Sequence, residues 1–302
     1  LPPIVDAIRA LQPRKPVLFA ALDEGAPFDF PELEQLRALG VACFPSPERA
    51  MRALARVTSF ALGGDSRDSN PVVNQELQNL RTGLLSEYES KQILAQIGIA
   101  IPQGRLASNA DEGVRVAKEI GFPVVLKAQS ADLPHKSDAG GVILGIHSES
   151  ELLQGWTGLH RSVQNAHPGL ALDGVLVERM GAKGLELIVG GRNDPQWGPV
   201  LLIGSGGVLA EAIKDVRLLP PDLTRAAIEQ ELNQLRCGAL LRGFRGSPAL
   251  DIGAVADVVL RVGRLMRSMP EITEIEINPL VVYENGSGAA ALDALISVAE
   301  HT

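Results

Sequence analysis

An α/β segment followed by a larger α+β portion is the architecture this sequence of 302 residues predicts. Three observations predict it. At roughly 150 residues per domain, the length suits about two globular units. Apolar residues make up 45% and charged residues 21%, which is ordinary for a chain that buries a core. The apolar texture also changes along the chain. Strand and helix alternate up to about residue 60, whereas hairpin-like strand pairs mixed with helices begin near Leu84.

Taken in order, Pro16–Leu22 is a short apolar run suited to a buried parallel strand. Pro31–Leu39 sets Leu33, Leu36 and Leu39 at helical spacing, and Gly40 stops that helix. Val41–Phe44 is a second strand, and Ser46-Pro47-Glu48 opens a helix through Val57 with Pro at its first position. Two strand–helix units are too few to close a doubly wound sheet. Residues 1–60 therefore read as a partial Rossmann- or flavodoxin-like segment, the end of a domain whose beginning is absent. The start at Leu1-Pro2-Pro3, without Met, fits that expectation. Ala61–Gly83 loses apolar periodicity and gathers Gly, Ser, Asp and Asn, the composition of a linker, with a surface loop as the alternative.

From Leu84 onward the expected elements are mixed. Leu85–Gly98 is an amphipathic helix entered at Ser86, with Glu89 completing a capping box. Ala110–Ile120 and Glu149–Gln164 are further helices. Strands are expected at Pro123–Gln129, Val142–His147, Gly174–Met180, Glu186–Gly190 and Pro199–Ile203. Helices at Leu223–Leu235 and Ile252–Met269 precede a last pair of strands, Ile272–Tyr283 and Ala289–Leu295.

Composition excludes several functions. The net charge of −8 and only 2 Trp, 2 Tyr and 7 Phe leave neither a basic face nor stacking platforms for nucleic acid. No apolar run approaches the ~18 residues of a membrane span, and Asp293 interrupts the longest, Gly288–Ala299. Cys43 and Cys237 stand too far apart in sequence to suggest a zinc cluster or a disulfide framework. Nothing at the N-terminus reads as a signal peptide, so a cytoplasmic protein that handles small molecules is the expectation.

Four places could carry chemistry. Lys127 lies inside a strand between Leu126 and Ala128, where a Lys aimed at a cleft can meet a phosphate. An edge-strand Lys pointing to water is the alternative. The loop Ser130–Gly141 holds His135 beside Lys136, with Asp138, Gly140 and Gly141 following. Successive glycines let backbone N–H groups approach an anion, and imidazole can attack phosphorus. Gly204-Ser205-Gly206-Gly207 is a Gly-rich turn after an apolar strand and a candidate phosphate loop. Glu274, Glu276 and Asn278 share one face of a strand, and Asp293 sits on the next. Oxygen ligands at Glu276, Asn278 and Asp293 suit Mg²⁺, with a solvated strand face as the alternative. His147, His160, His167 and His301 show no ligand spacing and read as surface residues.

Together these segments resemble the ATP-grasp domain of the NDP-forming acyl-CoA synthetases, relatives of the succinyl-CoA synthetase β subunit. The resemblance runs from about Leu84 to Ala299. It rests on Val125-Leu126-Lys127-Ala128-Gln129, on His135-Lys136-Ser137-Asp138-Ala139-Gly140-Gly141-Val142, and on Val177-Glu178-Arg179-Met180. Further matches are Gly184–Gly190, Gly204–Gly207, Arg245-Gly246, Glu276-Ile277-Asn278-Pro279-Leu280 and Leu292-Asp293-Ala294. Residues 1–60 resemble the tail of the CoA-ligase-like domain that precedes ATP-grasp in single-chain members.

The resemblance implies a two-subdomain ATP-grasp fold over 84–302, with a lid subdomain at about 105–178 and a second at about 179–302. It implies that Lys127, Gly140, Gly141, Gly206 and Gly207 hold nucleotide phosphates. Glu178, Arg179 and Met180 would form the hinge against adenine, and Glu186 would lie near the ribose. Asn278 and Asp293, with Glu276, would ligate Mg²⁺. His135 would relay a phosphoryl group to or from ADP. The implied activity is the nucleotide-binding part of an ADP-forming acid–CoA ligase, a phosphoryl-transfer enzyme using ATP or ADP and Mg²⁺. CoA would enter only through CoA-binding and ligase domains, in the same or a partner chain, that these residues do not contain. Homo-oligomerisation stays open. The Lys214–Pro220 segment is a residue or two shorter than the family pattern, which places a phosphate contact by Arg217 in question. A non-catalytic ATP-sensing or assembly module, as in fusions to acetyltransferases, is the second reading. An ATP-grasp carboxylate–amine ligase is the third, and it would need no loop histidine.

Overall fold

Two units, Leu1–Asp65 and Ser66–Thr302, divide the chain in the computed structural model. It describes residues 2–11, 15, 17–21, 31–62, 68, 80–133, 136–194, 197–207 and 215–299.

In the first unit, helix α1 (Pro2–Leu11) precedes strand β1 (Leu18–Ala20), α2 (Pro31–Ala38), β2 (Ala42–Phe44) and α3 (Pro47–Leu62). The strands are parallel, with Phe19 opposite Cys43. Val5 of α1 joins Leu33, Leu36 and Val41 in one small core. The opening helix was not expected from sequence, although its apolar positions Val5 and Ile8 fall on one face. Helix α3 also runs past the expected end at Val57, to Leu62.

The second unit contains two antiparallel sheets. The smaller orders its strands β4 (Gly104–Ala107), β7 (Gly174–Arg179), β5 (Val124–Gln129) and β6 (Val142–Ile146). Helices α5 (Ala110–Ile120) and α6 (Glu149–Ala166) pack on it. Each starts on a side-chain cap, Asn109 or Ser148, and buries an apolar stripe including Val114, Ala117, Leu152, Leu159 and Val163.

The larger sheet orders β10 (Val216–Leu219), β9 (Gly198–Ser205), β8 (Leu185–Asp194), β11 (Ile272–Val282), β13 (Ala294–Val298) and β3 (Gly83–Leu84), with β12 (Ala289–Ala291) also pairing β11. Helices α7 (Arg225–Asn233) and α9 (Ile252–Ser268) cover it, and the short α8 (Gly238–Leu241) lies between them in sequence. Val255, Val259, Val262 and Leu265 of α9 share a core with Leu187, Val189, Leu201, Ile203, Ile275 and Ile277 of the sheet. No described helix is long and apolar enough to cross a membrane.

Several sequence expectations change here. The last strand pair is three strands, because Leu292 and Asp293 interrupt β12 and β13. Strand β9 continues through Ser205, so only Gly206 and Gly207 of the supposed Gly-rich turn lie beyond it. Strands β4 and β10 were not anticipated, since four residues of mixed polarity give too short a period to read. His160 is half-buried, its ring 5.6 Å from that of Trp156, whereas His147 and His167 are exposed and His301 lies outside the described residues. Most of the expected linker, residues 63–67 and 69–79, is also outside them. Asp68 is described, and it pairs with Arg264 of α9 at 2.5 Å.

Helix α4 (Glu87–Gln96) ties the two sheets together. Its capping box forms as the sequence suggests: the Ser86 side chain accepts from Glu89 N–H, and the Glu89 carboxylate accepts from Ser86 N–H. The Gln129 side-chain oxygen at the end of β5 accepts from Tyr88 N–H at 2.9 Å. On the opposite side, the Ser90 hydroxyl accepts from Ile296 N–H of β13 at 3.1 Å. Ile93 and Leu94 bury the helix in the larger core. The first turn of α4 is thereby held between β5 and β13.

Candidate active site

At that junction six charged side chains converge. Lys91 Nζ lies 2.6 Å from Glu87 Oε1 and 2.8 Å from Glu178 Oε2. Lys127 Nζ lies 2.7 Å from Glu87 Oε1 and 2.5 Å from Glu178 Oε1, and it donates to the Leu292 carbonyl at 2.6 Å. Lys136 Nζ lies 2.7 Å from Asp293 Oδ2, with Glu87 Oε2 at 3.0 Å but out of hydrogen-bond alignment. Glu87, Lys91, Lys127, Lys136 and Glu178 are all buried. Three ammonium and three carboxylate groups leave the cluster neutral, which is how a protein interior tolerates charges that would otherwise be costly to desolvate.

The charges fix one another's ionisation. Burial pushes the Glu87 carboxyl up, but Lys127, Lys91 and Lys136 outweigh it and hold the group far below the ordinary carboxylate range. Burial pulls Lys127 down, but Glu87, Glu178 and Asp293 raise it above the ordinary lysine value. Lys136 is raised in the same way by Glu87 and Asp293, against burial. Lys91 goes the other way, because burial and the neighbouring Lys127 exceed the pull of its two carboxylates. Burial and Glu87 raise Asp293 despite Lys136 and Lys127.

Beside the cluster lies a polar cavity of about 270 Å³, lined among others by Glu87, Lys136, Glu276, Asn278 and Asp293. Residues of β11 alternate as the period of two requires: Ile275 and Ile277 face the core, Glu276 and Asn278 the outside. Asn278 Nδ2 donates to Glu276 Oε1 at 3.1 Å, and Asn278 N–H donates to the Asp293 carbonyl at 3.2 Å. Two carboxylates and one amide oxygen on a shared cavity wall match a Mg²⁺ that takes one or two carboxylates and completes its shell with phosphate and water. Among the described residues no group of three or more His, Cys, Asp and Glu is placed to hold a metal.

The remaining residues singled out by sequence fall in different places. Lys127 is on an internal strand of its sheet, which rules out the edge-strand alternative. Gly140 N–H donates to the Ser137 carbonyl at 3.1 Å and Gly141 N–H to the Lys136 carbonyl at 2.7 Å. Both amides therefore brace the loop that carries Lys136.

The Glu178 carboxylate faces lysines, while Arg179 and Met180 are exposed at the strand end. Their N–H groups donate to the Gln103 and Pro123 carbonyls at 2.8 and 3.0 Å. Glu186, Gly206 and Gly207 form a separate group. Gly206 N–H donates to the Glu186 carbonyl at 2.8 Å, and a Cβ on Gly207 would strike the Glu186 carboxylate. None of the three lines the cavity. His135 lies outside the described residues. Arg217 pairs with Glu231 through its guanidinium.

Sequence reasoning missed Glu87 and Lys91. An acid in a capped first turn with a lysine four residues on reads as a solvated pair, and only the packing of α4 between two sheets buries it.

Residues 76–298 match the family model of the ATP-grasp domain. The chain is 45% identical over 287 residues to trans-feruloyl-CoA synthase FCS1 from an unknown prokaryotic organism, an overlap covering 94% of this chain and 40% of that protein. It is 39% identical over 210 residues to the β subunit of acetate–CoA ligase [ADP-forming] I of Pyrococcus furiosus, covering 70% of this chain and 90% of the subunit. The structure is similar to that of the dinucleotide-forming acetyl-coenzyme A synthetase 1 of Ca. Korarchaeum cryptofilum in complex with coenzyme A, Ca-AMPCP and HgCl⁺. The TM-score is 0.68 at 36% identity, over 72% of this chain and 93% of that one. The chain thus spans less than half of one relative and nearly all of a β subunit.

Proposed function

The chain belongs to the NDP-forming acyl-CoA synthetases through their ATP-grasp domain, and from that premise we propose that it binds ADP or ATP and transfers a phosphoryl group within an acid–CoA ligase. The observation that carries this is the convergence of Lys136, Asp293, Asn278 and Glu276 on one polar cavity beside buried Lys127. Phosphoryl transfer asks a protein mainly for positioning and charge neutralisation. Lys127 and Lys136 are ammonium groups held charged by their carboxylate neighbours, so both can meet phosphate oxygens as cations.

Asn278, Asp293 and Glu276 would hold Mg²⁺, which when bound would offset phosphate charge. Lys136 contacts Asp293, and it would yield that carboxylate to a bound Mg²⁺. His135 precedes Lys136 and is the group we assign as phosphoryl carrier. Its imidazole nitrogen attacks the γ-phosphorus of ATP, the bond to the β,γ-bridging oxygen breaks, and ADP leaves; the reverse forms ATP. The complete ligase would interconvert acyl-CoA, phosphate and ADP with acid, CoA and ATP, through CoA-binding and ligase domains in the same or a partner chain. The adenine would stack near the strand end at Glu178–Met180, with Glu186 toward the ribose.

Labelling tests the reading. The chain is incubated with Mg²⁺ and γ-labelled ATP, and acid-labile, base-stable label is measured in wild type and in His135→Ala. The expected result is label in the wild type that is absent from the variant. No label, together with no nucleotide binding, would overturn the proposal in favour of a non-catalytic module.

A further inference from the structure

Lys91 and Glu87 stand on successive turns of α4, four residues apart and on one face. Lys91 does not line the cavity, yet it is among the most completely buried side chains described, at 2% exposure. An ammonium group has three N–H donors. Lys127 donates to Glu87 and to the Leu292 carbonyl, and the Glu178 carboxylate lies against it as an ion pair at 2.5 Å. A phosphate oxygen approaching Lys127 would compete with these partners. A buried carboxylate released with no other cation would be strongly unfavourable.

Both carboxylates that hold Lys127 are also held by Lys91, Glu87 at 2.6 Å and Glu178 at 2.8 Å. When Lys127 turns toward an anion, neither is left bare. Glu87 reaches further, its second oxygen facing Lys136 at 3.0 Å. One carboxylate thus touches all three lysines of the cluster.

We propose that Glu87 and Lys91 are the positioning pair of the phosphate site: Glu87 sets where Lys127 and Lys136 stand, and Lys91 keeps Lys127 releasable to phosphate. This rests on the reading of the cavity as a nucleotide site. Neither residue touches the reacting atoms. The capping box at Ser86 and the buried Ile93 and Leu94 make α4 a rigid mount for the pair.

The test is Mg-ADP binding to the full chain by isothermal titration calorimetry, at a temperature where circular dichroism shows each variant folded. Lys91→Met should weaken binding by about tenfold or more, the size of one charge-assisted hydrogen bond lost to a competing carboxylate. Lys91→Arg, which restores the charge, should stay within about threefold of wild type by the same scale.

Should Lys91→Met fail to fold, the double variant Lys91→Met with Glu87→Gln keeps the cluster neutral. It should still bind about tenfold more weakly. A variant with a lower melting temperature but wild-type affinity in its folded form would mean a purely structural role and overturn the proposal. Lys127→Met serves as the reference. If it weakens binding while Lys91→Met and the double variant do not, the proposal alone falls. If wild type itself binds no Mg-ADP, the nucleotide-site reading falls and takes the proposal with it.

Discussion

Replacing Glu178 by Gln preserves the shape of the side chain and removes its charge, which isolates the electrostatics of the buried cluster. The carboxylate accepts from Lys91 Nζ at 2.8 and 3.1 Å and meets Lys127 Nζ at 2.5 Å, with the residue 3% exposed. A glutamine presents one oxygen to these ammonium groups, while its NH₂ meets a cation. The cluster changes from neutral to a net positive charge around a side chain that is itself buried. Removing one partner of a buried ion pair costs about 3–5 kcal/mol. In a domain of this size each kcal/mol lowers the melting temperature by about 2–4 °C, so Glu178→Gln should melt roughly 6–20 °C below wild type. Thermal unfolding followed by far-ultraviolet circular dichroism at neutral pH measures it. Glu119→Gln is the control, because its pair with Arg105 is on the surface and such pairs contribute about 0–1 kcal/mol. A Glu178→Gln melting temperature within about 2 °C of wild type would refute the reasoning, because a desolvated charge cluster cannot lose a member so cheaply.

Two further outcomes follow from local geometry. Gly140 has φ of 66°, and a Cβ there would lie 2.8 Å from Ser162 Cβ. Gly140→Ala should therefore destabilise by about 2 kcal/mol or more, from left-handed strain plus steric displacement. Gly121, with φ of 84° and open space around it, should show the strain alone, and equal effects in urea titrations of the two variants would contradict the steric part.

Burial pushes the Asp215 carboxyl up, but the N–H groups of Arg236 and Cys237 and the Ser205 hydroxyl hold it below the ordinary value. A depressed folded-state value means this stabilisation is complete above the unfolded-state value near ~4 and is lost as pH falls through the folded one. The stability gap between wild type and Asp215→Asn should therefore narrow on acidification, and a gap constant from pH about 7 to about 3 would show that the carboxylate's charge is not the cause.

Much of the architecture could be read from local pattern. The capping box at Ser86, the caps at Asn109 and Ser148 and the apolar stripes of α5, α6 and α9 each act within a few residues, and period alone reveals them. The alternation Ile275, Glu276, Ile277, Asn278 likewise set one polar face on β11, and that face lines the cavity. Short elements escaped because four residues at β4 or β10 cannot establish a period.

What sequence could not supply was partnership across distance. Lys127 and Glu178 are neighbours because β5 pairs with β7, yet Val125, not Lys127, is opposite Glu178 in that register. The two are diagonal neighbours on one face of the sheet, and on that face Lys127 also meets Glu87 of α4 and Glu178 meets Lys91. Nor does sequence say that Lys136 and Asp293, separated by most of the second unit, form an ion pair. The residues themselves determined which chemistry was available: ammonium, carboxylate and amide groups suited to phosphate and a hard cation. The tertiary structure decided which of them are buried and paired. Burial is a property of the whole packed unit, and it turns an ordinary i, i+4 pair on a helix into the centre of the site.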